Sequence, residues 1–293
     1  MDQTAAMKKF QLAAAVLVAL FSLVLWKLAR FAWHDELHSY IVLIPVVSVY
    51  LARLQKNLPP VSVPAKIPAI LFSLAGVAML AWHQFAPRTP LADNLAQTTL
   101  AFVLLLAAAG FWFLGAARMR AVAFPFALLI FLVPLPDAWR DAVEVFLQHG
   151  SAWVAGWMFA VSDLPVLQTG LQFKLPGITL QVAPECSGIH STLVLFITSL
   201  VAGNLFLRSP GRRVALALAV IPLALLRNGF RVFVLGELCV HVGPEMIDSP
   251  IHHRGGPLFF GLSLLPFFLL LYWLRRKERA GNPPEKIEAK NLT

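Results

Sequence analysis

Eight apolar runs divide the chain, at residues 10–28, 37–52, 67–85, 95–114, 121–136, 187–207, 214–240 and 257–274. A helix rises about 1.5 Å per residue, so roughly 20 apolar residues cross the ~30 Å hydrocarbon core of a bilayer. Runs of that length in that number leave one fold class: an all-α, polytopic transmembrane helical bundle of about eight spans. The composition agrees, with 58% hydrophobic residues, 13% charged residues and a mean hydropathy of +0.72. A soluble domain carries about 25% charged residues, and half of that cannot clothe a globule of this size in water. A soluble enzyme, a disordered chain and a fibrous protein are excluded, and 2 cysteines cannot form a disulfide scaffold. The second and fifth runs are short and contain Pro45, Pro125 and Pro134, so their ends are the least defined.

The excess of 24 Lys and Arg over 15 Asp and Glu gives a formal charge of +9. In a soluble protein this would suggest nucleic acid; here the charge is topological, and no nucleic-acid partner is expected. Lys8/Lys9, Arg53/Lys56/Lys66, Arg118/Arg120, Arg208/Arg212/Arg213 and Arg275/Arg276/Lys277/Arg279 fall in every second loop, 14 cations against six in the other loops. The positive-inside rule then places both termini in the cytoplasm. Lys8 and Lys9 before the first run could open a signal peptide, but no small-residue cleavage site follows, so a retained first helix is expected. The domain expected is a single integral membrane unit over 1–279, with an insert at 137–186 on the outer face and a disordered cytoplasmic tail over 280–293.

That insert breaks the hydropathy pattern. Trp139–Ser162 is apolar but carries Arg140, Asp141, Glu144, Gln148 and His149 around one helical face, the pattern of an interfacial amphipathic helix; a ninth hydrophobic segment is the alternative. Leu171–Val182 alternates around Pro176-Gly177 and predicts a small hairpin on the membrane. There is no internal repeat and no glycine-rich phosphate loop.

Ionisable groups inside spans are costly and mark function by default. Arg227 and Arg231, in Leu226-Arg227-Asn228-Gly229-Phe230-Arg231, lie four apart on one helical face. Counted from Val214 at about 1.5 Å per residue, Arg231 sits roughly 25 Å up the seventh span, just under the outer surface; a structural cation paired with a carboxylate is the alternative. Cys186, in Pro184-Glu185-Cys186-Ser187-Gly188-Ile189-His190, stands where an outer loop enters the sixth span. A helix N-terminus favours the thiolate, the nucleophilic form; a buried inert thiol is the alternative. His252 and His253 precede the eighth span on the same side, and His190, four residues after Cys186, is a reserve base. A metal site with Cys239 and His241 would have weak spacing, and neither metal nor cofactor is expected. Charge-derived topology thus brings a thiol, a guanidinium and an imidazole to one membrane face. A cysteine nucleophile needs an acid/base and an oxyanion donor. His suits the first role and the permanently charged Arg the second.

With these residues in view, the chain resembles the exosortase/archaeosortase family, multi-spanning membrane cysteine transpeptidases. Cys186-Ser187-Gly188 looks like the family's Cys-Ser-Gly motif, Asn228-x-x-Arg231 like its Asn-x-x-Arg element, and His252-x-x-x-Gly256 followed by Phe260 like its His-x-x-x-Gly element. His38-Ser39-Tyr40 and Phe124-Pro125 through Pro134-Leu135-Pro136-Asp137 are looser likenesses. The resemblance implies Cys186 as nucleophile, Arg231 as oxyanion stabiliser and His252 as acid/base, with Arg227, Asn228, His190 and His253 as secondary candidates. It further implies secreted protein substrates ending in a short motif, a transmembrane helix and a basic cluster. A lipid- or exopolysaccharide-linked acceptor would complete the transfer. The alternative is a membrane transporter or exopolysaccharide-export component without peptidase activity, which would be expected to line a path through several spans with polar residues. An envelope-assembly scaffold would need no thiol.

The charge split makes the orientation testable. Reporter fusions at Lys66, Arg118, Arg208 and Arg279 are expected to read cytoplasmic, and fusions near Lys174 external. A cytoplasmic signal at Lys174 would put Cys186 on the wrong side for a secreted substrate.

Overall fold

The computed structural model describes residues 3–55, 57–85, 89–162, 164–184, 187–249 and 255–281. The chain forms two compact units, Met1–Arg140 and Asp141–Thr293. Six helices are long and apolar enough to cross a membrane, or up to 8 if each of two bent helix pairs is one span. The protein is a multi-pass helical membrane protein.

In the first unit, α1 (Gln3–Leu20) and α2 (Ser22–His34) meet at a 69° bend. The sequence predicts one helix over 10–28, and neither proline nor glycine marks the bend. The corner residue Phe21 is buried and its ring lies 5.5 Å from that of Phe102, a tertiary anchor that local sequence does not reveal. A 3₁₀ segment (Glu36–Val42) leads into α3 (Ile44–Leu54), whose first turn holds Pro45, where the missing N–H costs no hydrogen bond. α4 (Lys66–Phe85) packs along α5 (Leu91–Ala121), which changes course at Gly115.

The expected fifth span over 121–136 is shorter than its hydropathy suggests. α6 (Ala123–Leu128) continues as a 3₁₀ turn (Leu129–Leu132) and stops. Pro134 forces the preceding residue out of helix, and Val133 is extended, with ψ 117°. At 1.5–2 Å per residue this piece reaches roughly 15–20 Å, too short to cross alone; only together with α7 (Asp137–Val161) does it pass as one bent span.

The segment around Pro134 is held by buried polar contacts. Leu135 N–H donates to His38 Nε2 at 3.3 Å, while His38 Nδ1 lies 3.3 Å from Asp35 Oδ2. Asp137 N–H donates to Asp93 Oδ1 at 2.9 Å, so a carboxylate from α5 caps the start of α7. The two looser sequence likenesses, around His38 and around Pro134–Asp137, are therefore neighbours in space.

α7 runs 25 residues, about 37 Å, and belongs to the second unit from Asp141 on. Trp139, Val143, Phe146, Trp153 and Trp157 recur along its exposed face, while Gln148 and Ser151 on the opposite face are buried. Of the polar residues on this helix, Gln148 turns into the protein with Ser151, while Asp141 and His149 stay exposed. The expected hairpin is a three-stranded antiparallel meander, β1 (Leu167–Thr169), β2 (Gln172–Leu175) and β3 (Ile178–Gln181), with Phe173 paired to Leu180. Their inward side chains join Ala155, Phe159 and Cys239 in one core.

Beyond the meander, α8 (Ile189–Phe206), α9 (Pro210–Leu218), α10 (Val220–His241) and α11 (Gly256–Gly281) form the helical part of the unit. Their common core contains Leu195, Leu216, Val220 and Phe267. The seventh span is α9 and α10 in series, broken at Ala219, and the candidate crossing covers Pro210–His241. α11 carries Pro266 internally, which a membrane helix tolerates.

Candidate active site

α8 opens on the segment that carries the Cys-Ser-Gly motif. Its N-cap is Gly188, left-handed at φ 73°, ψ 19°. The Ser187 N–H donates to the Pro184 carbonyl at 3.0 Å, and the Ile189 N–H donates to Ser187 Oγ at 3.4 Å. The intervening residues 185 and 186 lie outside the described residues. His252 and His253 lie outside them as well.

The loop is tied to three helices. On α7, Gln148 Nε2 donates to the Val182 carbonyl at 3.1 Å, and Glu144 Oε1 accepts from Ser187 Oγ at 3.5 Å. Asn228 Nδ2 on α10 donates to Ser151 Oγ on α7 at 3.0 Å; the two side chains are 3% and 0% exposed. Arg227 Nη2 on α10 donates to the Gly188 carbonyl at 3.3 Å and to Thr192 Oγ1 at 3.2 Å. Thr192 Oγ1 in turn donates to the same carbonyl at 2.8 Å. A buried amide or guanidinium without partners costs several kcal/mol in a low-dielectric interior, so these contacts tie Val182, Ser187 and Gly188 to α7 and α10.

Gly188 is required twice over. Its φ lies where an L side chain is strained, and a Cβ there would come 3.1 Å from Arg227 Nη2 and 3.3 Å from Asn228 Oδ1. The third residue of the motif thus lets the α8 start close against Arg227 and Asn228. Close approach also brings α10 to α7, because a Cβ on Gly229 would meet Val154 at 2.6 Å.

Of the residues singled out in sequence, the structure brings Arg227 and Asn228 against the α8 start. Arg231 is half-buried one turn further along α10, and His190 is half-buried in the first turn of α8; both make interactions of their own. α8 begins at Ile189, so His190 stands in its first turn, while residue 186 lies outside the described residues. Cys239 is buried in the meander core, and His241 Nε2 sits 3.2 Å from Glu237 Oε2. Among the described residues no three His, Cys, Asp or Glu side chains gather in a metal-binding group.

Ser151 and Thr192 escaped sequence reasoning, and Glu144 and Gln148 were seen only as an amphipathic face. The signal was present: Glu144, Gln148 and Ser151 recur at helical spacing, and Thr192 stands one turn after Gly188.

A multi-pass bundle that holds the Ser187-Gly188 start of α8 against an Arg-Asn pair defines the class, a membrane protein with a built site at a helix start. The family model for transmembrane exosortases (Exosortase_EpsH) matches residues 32–269, and the chain belongs to that family. Comparison with curated proteins and with solved structures gives no significant match.

The Gly188 geometry sets a test. Gly188→Ala is expected to cost about 1–3 kcal/mol, seen as a lower melting temperature in detergent. Gly177→Ala, at φ 81° with open space around it, should cost less. Equal losses would mean that the contact with Arg227 and Asn228 is unimportant.

Proposed function

We propose that this exosortase is a membrane-embedded cysteine peptidase and transpeptidase that cleaves C-terminal sorting signals of secreted proteins and passes the product to an acceptor. The observation that supports this reading best is the clamped loop before α8, in a chain whose family match covers residues 32–269. Buried donors and hydroxyls from α7, α8 and α10 hold the residues on either side of Cys186. Such preorganisation is what a nucleophile needs and an inert thiol does not.

In the proposed reaction the Cys186 thiolate attacks the scissile carbonyl carbon, and the carbonyl oxygen becomes an oxyanion facing Arg231. The guanidinium suits that role because it stays charged and offers a planar fork of donors. His252, as imidazolium, gives its proton to the leaving amine as the C–N bond breaks, leaving a thioester on Cys186. An incoming amine, another nucleophile on a lipid- or exopolysaccharide-linked acceptor, or water then loses a proton to His252, attacks the thioester and releases the thiolate. The substrate helix would lie in the bilayer beside the bundle and present its motif at the extracytoplasmic face of the inner membrane, with both termini of the enzyme in the cytoplasm.

The test is a tagged substrate with a C-terminal motif, helix and basic cluster, expressed beside each variant and followed by immunoblot. Cys186→Ser is expected to accumulate uncleaved precursor at normal enzyme level, because a hydroxyl is not ionised where a thiol is. His252→Ala should do the same, with His253→Ala milder, and Arg231→Lys should lose activity. Normal processing by Cys186→Ser would end the cysteine mechanism. An essential Arg227 beside a fully active Arg231→Lys would exchange the two arginines.

A further inference from the structure

We propose that a groove on the first unit binds an anionic phospholipid, with an acyl chain between α1 and α4 and the phosphate on Lys9. Both helices pack against α5, and the space left between them is an apolar cavity of about 650 Å³. Small side chains in its lining, Ala13, Ala69 and Ala109, leave the room. Leu12 and Leu74 line it too and are exposed, so it opens on a lipid-facing surface. Along α1 it runs from Lys9 to Leu17, eight residues or about 12 Å. That is close to one leaflet's half of a ~30 Å hydrocarbon core and well short of a spanning helix.

The two ends of the groove differ in charge. Met7 and Phe10 pack with Leu114 in one cluster, and Phe21 meets Phe102, so α1 and α5 run antiparallel. Lys9 and the exposed Trp112 therefore share one end. Lys66 stands three residues before Ala69 on α4, and Arg118 and Arg120 follow Phe113 on α5, so cations gather there. Among the described residues of these three helices Asp93 is the one carboxylate; it lies toward the opposite end of α5 and accepts from the Asp137 N–H. None of the ion pairs among the described residues takes Lys9, Lys66, Arg118 or Arg120. Hydrocarbon fills an apolar groove that opens to lipid, and unpaired cations at its mouth select an anionic headgroup. A lysine and a tryptophan are the side chains that settle at headgroup level. A zwitterionic lipid brings a cation of its own to that end and gains less. In the orientation proposed above, the basic cluster of a sorting-signal helix would meet like charge there.

The test titrates the purified full-length protein in detergent with phosphatidylglycerol or phosphatidylcholine and counts bound lipid by native mass spectrometry. The wild type is expected to hold phosphatidylglycerol more tightly than phosphatidylcholine. Lys9→Gln, at an exposed position, is expected to weaken phosphatidylglycerol about fivefold and leave phosphatidylcholine unchanged. Ala109→Leu, which fills the groove, is expected to weaken both lipids. The proposal is overturned if the wild type holds the two lipids equally, or if either variant binds phosphatidylglycerol as the wild type does. Displacement of phosphatidylglycerol by a peptide carrying a sorting-signal helix, or a dimer that Ala109→Leu breaks, would assign the groove to another occupant and overturn it too. The readout is independent of peptidase activity.

Discussion

A polar side chain inside a bilayer has no water to fall back on, so its partners must come from the protein. Arg227, Asn228, Ser151 and Gln148 are all buried, and the partners they find are one another, the Gly188 and Val182 carbonyls and the Thr192 hydroxyl. Apolar packing alone would let α7, α8 and α10 slide, since lipid tails are as apolar as leucine. Directional hydrogen bonds between buried groups remove that freedom and fix where α8 begins. The position of the motif loop follows from that start.

The same constraint explains α7. An amphipathic helix can turn its polar face to water or to protein. Here Trp139, Phe146, Trp153 and Trp157 face outward, and Gln148 and Ser151 face the loop and α10. The meander completes the enclosure by burying Phe173 and Leu180 against Phe159. A helix and a small sheet that look like an appendage in hydropathy are thus the wall of the candidate site.

Much of this was legible in the sequence, because a membrane imposes long apolar runs and leaves polar residues conspicuous. The bundle, the hairpin around Pro176-Gly177, and the arginines and asparagine of α10 all follow from such signals, whereas the first strand of the meander, Leu167–Thr169, lies outside the predicted hairpin. Three features did not. The bend at Phe21 depends on a contact with Phe102, which no local pattern encodes. The shortness of α6 was masked by apolar residues continuing up to Pro134, whose effect on Val133 outweighs hydropathy. The inward turn of Gln148 on α7, with the roles of Ser151 and Thr192, required knowing what packs against it, since serine and threonine in an apolar helix are unremarkable until their partners are known.

The account stands or falls on covalent chemistry at one sulfur. Purified enzyme mixed with a peptide carrying a C-terminal sorting signal, quenched in acid and digested, can be read by mass spectrometry at the Cys186 peptide. The expected result is an added mass equal to the substrate's acyl portion, removable by hydroxylamine as a thioester would be and absent from Cys186→Ser. Cleaved substrate without any such adduct on Cys186, or an adduct on another residue, would contradict it.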